Sequence, residues 1–136
     1  MKTILVAFRV TDLDRSLEFY TALGYVVLGR VPGDNSCLVL LKFPEEPAAT
    51  FELVHRPDDG PVDVGSGFDH LALQVDNLAD TLERLTKAGL EPGPLEHPGG
   101  PDGPKTSWLT DPDGYRIELV QWPPTLPDGI TAATFA

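Results

Sequence analysis

Residues 9–25, RVTDLDRSLEFYTALGY, lie over residues 74–90, QVDNLADTLERLTKAGL, at a constant offset of 65. The matches fall where structure needs them. Val10 and Val75 end apolar runs, Leu13/Leu78 and Leu17/Leu82 keep helical spacing, and Gly24/Gly89 sit where a helix C-terminus takes a left-handed residue. A chain that carries one unit twice must build the same elements twice. Each copy offers an apolar run, an Asp or Asn opening a helix of about three turns, a glycine stop and then several β-type segments. The order in each is β, α, β, β, β.

In the first copy the pattern predicts strands near residues 4–10, 25–31, 36–43 and 50–54, with a helix over 13–23. In the second it predicts strands near residues 68–75, 90–97, 105–110 and 115–122, with a helix over 78–88. Asp111-Pro112-Asp113-Gly114 reads as a tight turn between the last two strands, because Pro112 presets φ and Gly114 accepts a positive one. The expected organisation is a first module over 1–55, a linker over 56–67 (RPDDGPVDVGSG), a second module over 68–122 and an irregular tail over 123–136. A second Pro/Gly stretch, residues 92–104, reads as a mobile surface loop. The fold class is α+β.

Composition narrows the function. At 136 residues, 41% hydrophobic and 23% charged, the chain is long enough to bury a core unaided. The lone Cys37 has no intramolecular disulfide partner. The apolar run Ile4–Phe8 after Lys2 is too short for a signal peptide or a membrane span, so the expected location is the cytoplasm. Ten Lys and Arg against 21 Asp and Glu give a net charge of −11, which argues against nucleic acid and anionic membranes as partners. An anionic small molecule would need local cations, for which Arg9, Arg56 and Lys105 are the candidates.

The repeat also carries chemistry. Extending the helix offset back pairs Leu5 with His70, while FELV (51–54) and IELV (117–120) pair Glu52 with Glu118. Each glutamate alternates with apolar neighbours, so its side chain points to the opposite face of its strand from theirs. Such a glutamate is ordinarily an outward, solvated one, and a lone strand histidine is ordinarily a satisfied core residue. Two carboxylates and one imidazole on concave faces would instead form a borderline-hard donor set for Zn, Ni, Co or Mn with positions left open. His55 falls on the opposite face from Glu52, and His97 sits in the Pro/Gly loop.

Arg9-Val10 leading into DLDRSLEFY, then FELV, DHLALQV and LTDPDGYRIELVQ resemble the vicinal-oxygen-chelate superfamily, and within it the glyoxalase I family, over residues 1 to 122. The resemblance implies βαβββ modules paired into curved mixed sheets around a cleft, with a homodimer sharing its sites. It implies one divalent metal ion held by Glu52, His70 and Glu118. A fourth ligand is missing, because Leu5 stands where that family has histidine. The site would then recruit water or another ligand, bind metal weakly or have abandoned it. The implied reaction is proton transfer on a thiol adduct of a 2-oxoaldehyde, giving a thioester, with Glu118 as base. Arg9 matches a position that holds a substrate carboxylate, and a pairing with Asp12 is the structural alternative. Arg56 stands at a thiol-contacting position.

Leu5 equally suits a second reading, a metal-free binding protein of the bleomycin-resistance kind, with Trp108, Trp122 and Phe51 lining its pocket or simply packing. A ring-cleaving dioxygenase would need two histidines and one glutamate, a pattern that Leu5 breaks. An epimerase acting on a thioester would use the same proton chemistry. Two converging carboxylates without a counter-ion favour the metal reading.

Overall fold

A computed structural model describes residues 1–136. The chain divides into two compact units, Met1–Gly67 with Asp111–Gly114, and Phe68–Thr110 with Tyr115–Ala136. Each is an open mixed sheet with one helix, so the molecule is α+β.

The first unit contains β1 (Val6–Val10), α1 (Leu13–Leu23), β2 (Val26–Gly33), β3 (Ser36–Lys42) and β4 (Phe51–His55), in sheet order β1-β4-β3-β2. β1 runs parallel to β4, and the other pairs are antiparallel. The second unit contains β5 (Leu71–Gln74), α2 (Leu78–Lys87), β6 (Lys105–Thr110) and β7 (Arg116–Gln121), in order β5-β7-β6, with β5 parallel to β7.

The helix ends show why the duplicated segments fold alike. Asp12 accepts a hydrogen bond from the Arg15 N–H and Asn77 one from the Asp80 N–H, each satisfying an orphan donor of a first turn. At the other end Gly24 (φ 128) and Gly89 (φ 88) turn the chain left-handed. The Tyr25 N–H then reaches the Tyr20 carbonyl and the Leu90 N–H the Leu85 carbonyl, the Schellman arrangement in both copies.

An aromatic cluster fills the first unit. The Phe51 ring meets Phe8, Tyr20 and Tyr25 at centroid distances of 5.0, 4.8 and 5.0 Å, and Tyr25 stacks on Phe43 at 3.9 Å. Burial, with the nearby Glu46 carboxylate, pushes the Tyr25 phenol above its ordinary ionisation range. The turn at Asp111–Gly114 belongs to this unit. The Tyr20 hydroxyl donates to the buried Asp111 carboxylate at 2.7 Å, and the Thr11 N–H donates to Asp113 Oδ2 at 3.2 Å. Gly114 has φ 95, and its N–H closes the turn on the Asp111 carbonyl, as the tetrapeptide predicts. The second unit has a leaner core of Leu78, Leu85, Leu109, Ile117, Leu119 and Val120.

Two expectations change. The strand predicted over residues 90–97 does not form. Pro92 and Pro94 bring no N–H, so contact with β6 shrinks to one bridge, Glu96 with Thr106, and to the Gly93 N–H donating to the Trp108 carbonyl at 2.8 Å. The stretch 56–67 is packed into the first unit: residues 57–59 form a 3-10 turn, and the Val62 N–H donates to Thr11 Oγ1. The tail is irregular apart from a 3-10 turn at Ala132–Phe135. No helix is long and apolar enough to cross a membrane.

Candidate functional site

Strand register makes the two glutamates structural equivalents. Ala7 pairs with Glu52 across β1 and β4, and Ala72 pairs with Glu118 across β5 and β7. One strand further, Leu40 stands beside Glu52 and Trp108 beside Glu118. Leu5 and His70 each precede the paired alanine by two residues. They therefore occupy matching places relative to the two glutamates, as the repeat predicts.

Only the second unit completes a pair at that place. His70 Nε2 lies 3.1 Å from Glu118 Oε2, with side-chain exposures of 32% and 20%, while Nδ1 is within hydrogen-bond distance of Asp69 Oδ1. With Nδ1–H donating to Asp69, a neutral imidazole turns its Nε2 lone pair toward a carboxylate oxygen. Two electron-rich atoms at that separation call for a positive charge between them, supplied by a second proton on the ring or by a metal cation. The edge of the His70 ring meets the Trp108 ring at 5.0 Å and 78°, and the Arg116 guanidinium carbon lies 4.3 Å from the Trp108 centroid. Asp69, His70, Trp108, Arg116 and Glu118 thus form one contiguous group.

In the first unit Glu52 sits half-buried between Ala7 and Leu40, with no histidine at the corresponding position. Neither unit groups three His, Cys, Asp or Glu side chains so as to hold a metal ion. The structure therefore joins His70 and Glu118, while Glu52 belongs to the first unit.

The predicted cations divide. Arg9 donates to the Gly60 and Pro61 carbonyls at 2.7 and 3.3 Å. Arg56 pairs with Asp59 at 2.7 Å, and that hydrogen bond holds the Asp59 carboxyl below its usual range. Lys105 is half-buried at the start of β6. Phe51 is core, and the Trp122 indole N–H donates to Gln74. His55 is half-buried on β4, His97 is exposed, and Cys37 is a half-buried free thiol. Sequence reasoning passed over Asp69 and Arg116. Adjacency to His70 marks the first, and alternation two residues before Glu118 marks the second.

The model of the Glyoxalase/Bleomycin resistance protein/Dioxygenase superfamily matches residues 4–119. A probable lactoylglutathione lyase of Synechocystis is 36% identical over 121 residues, covering 83% of this chain and 89% of that one. A lactoylglutathione lyase of Neisseria meningitidis is 32% identical over 129 residues, covering 89% and 91%. Against a probable chloroplastic lactoylglutathione lyase of Arabidopsis thaliana the identity is 35% over 130 residues and 88% of this chain is covered, but the match spans only 35% of the plant protein. Among solved structures, a glyoxalase I of Leishmania major superposes with a TM-score of 0.70 at 28% identity, covering 89% of this chain and 86% of that one. The chain belongs to the glyoxalase/bleomycin resistance/dioxygenase superfamily.

Proposed function

We propose that this chain is a glyoxalase-like lyase that isomerises the thiol adduct of a 2-oxoaldehyde to a 2-hydroxy thioester, with His70 and Glu118 at the reacting end. The contact between His70 Nε2 and Glu118 Oε2 carries the reading, because it places a carboxylate and an imidazole on one sheet face around a point that calls for positive charge. The names of the relatives support the reaction class.

His70 and Glu118 fit two positions of a divalent-cation site: the donors are N and O, and 3.1 Å suits neighbouring ligands of one ion with bonds of about 2.1 Å. Glu52 is proposed as a third donor because it is the repeat equivalent of Glu118, whichever copy of the chain supplies it. A bound cation would polarise the two vicinal oxygens of the adduct. Glu118 takes the proton from the carbon that bears sulfur, leaving an enediolate, and returns it to the neighbouring carbon that began as the ketone, while the hydroxyl proton of the adduct passes to the oxygen of that former ketone. No atom is gained or lost and no redox partner is needed. Asp69, accepting from Nδ1–H, keeps the Nε2 lone pair of His70 aimed at the site. A homodimer in the cytoplasm is the proposed setting, and sedimentation at several concentrations tests the assembly.

The deciding experiment titrates Ni, Zn, Co and Mn into chelator-stripped protein by calorimetry, for wild type and His70→Ala, and assays the methylglyoxal–glutathione adduct with each metal. Stoichiometric binding lost in His70→Ala, together with thioester formation, supports the proposal. Thioester formation unaffected by His70→Ala would sink it. Leu5, in place of a donor, favours a second reading as a metal-free sequestering protein, for which ligand binding without turnover is the expected result.

A further inference from the structure

Resting on the reading of the site just given, we propose that Arg116, whose guanidinium lies over the Trp108 ring, is the specificity-determining residue that receives an anionic group, such as a carboxylate, on the part of the substrate that does not react. Arg116 and Glu118 alternate along β7 and so project from the same sheet face. Trp108, paired with Glu118 in register, touches both His70 and Arg116. One ring thus fixes the distance between the His70–Glu118 pair and a guanidinium. Arg116 takes part in none of the ion pairs of the chain, and its fork of donors is exposed. A cation–π contact with an indole restrains that fork without using any of its N–H groups.

Charge sharpens the inference. The chain carries −11 overall, and Asp69 and Glu118 add negative charge beside the site, so an anionic substrate needs a cation at close range. The two arginines expected to serve are otherwise engaged: Arg9 with backbone carbonyls and Arg56 with Asp59. Arg116 is the cation that the structure joins, through a single side chain, to the His70–Glu118 pair.

Calorimetry with S-lactoylglutathione and with the same compound esterified at both carboxylates tests this. Wild type is expected to bind the free acid about tenfold more tightly than the diester, the size of one charge-assisted contact. Arg116→Met should bring the ratio close to one, Arg116→Lys should retain part of it, and Trp108→Leu, which supplies the residue found beside Glu52, should lower it with Arg116 still present. A ratio unchanged in Arg116→Met, or no binding of either compound by wild type, overturns the proposal. Turnover is read separately with the methylglyoxal–glutathione adduct. Arg116-dependent selectivity without turnover sinks the lyase reading alone. Turnover with a KM indifferent to Arg116→Met sinks this inference alone.

Discussion

The two sheets share register, helix caps and a glutamate at one place, yet differ in what surrounds that glutamate. Around Glu52 the neighbouring strands supply Ala7 and Leu40, and Leu5 stands at the His70-equivalent place. Around Glu118 they supply Ala72 and Trp108, with His70 in contact. The first unit has the larger aromatic core and the extra strand, and the second has the polar cluster. The same scaffold surrounds its glutamate with apolar neighbours in one unit and with a polar and aromatic cluster in the other.

That contrast can be broken most directly at the glutamates. Glu118→Gln is expected to lower kcat for the thiol adduct by about 10²–10⁴-fold, the usual worth of a positioned base, with the far-ultraviolet circular dichroism unchanged. Glu52→Gln should cost less, through metal affinity. Equal losses in kcat from both variants would show that the two sheets share the proton transfer.

The next largest effect should come from writing the missing residue back. Leu5→His restores to the first unit the pair seen in the second, and is expected to tighten Ni or Zn binding by about tenfold, roughly 1.4 kcal/mol. The gain should vanish when Glu52→Gln is added. An unchanged affinity in Leu5→His would mean that matching register does not give matching geometry.

Stability offers a smaller contrast. Tyr20→Phe removes the hydroxyl that donates to the buried Asp111 carboxylate and should destabilise the fold by about 2 kcal/mol in urea unfolding, as for a hydrogen bond to a charged group. The second helix has Leu85 at the matching position, an apolar core residue, and no such dependence. A loss below about 0.5 kcal/mol would show the carboxylate to be satisfied without Tyr20.

The smallest effect concerns Ser16 and its repeat equivalent Thr81. Ser16 is buried and its hydroxyl has no partner, whereas Thr81 Oγ1 donates to the Asn77 carbonyl at 2.8 Å. Ser16→Ala should leave the midpoint unchanged or raise stability by up to about 1 kcal/mol, while Thr81→Ala should not raise it. A Ser16→Ala variant that is less stable would point to a partner for that hydroxyl.

These contrasts follow what the sequence encodes locally. Helix limits were legible because Asp12, Asn77, Gly24 and Gly89 act within a few residues of themselves, and the equivalence of Glu52 with Glu118 because alternation and repetition suffice for it. The segment 90–97 misled because the repeat called for a strand there, although Pro92 and Pro94 remove ladder donors. Arg9 misled because its partners are the carbonyls of Gly60 and Pro61, and a backbone acceptor leaves no mark in the side chains. Arg116 escaped notice because its bond to the site runs through Trp108 on the next strand, and that pairing is a matter of register.

The turn at Asp111–Gly114 sets an order of events during synthesis. Its two hydrogen bonds to the first unit, from Tyr20 and Thr11, span 91 and 102 residues of chain. The N-terminal half therefore leaves the ribosome without its last piece, and Tyr20 must wait for most of the remaining chain to be translated, several seconds at about 5–20 residues per second. A half-made molecule keeps its first unit unfinished until residue 114 has emerged, which ties completion of the first unit to production of the second as far as the end of β6, before β7 has been made.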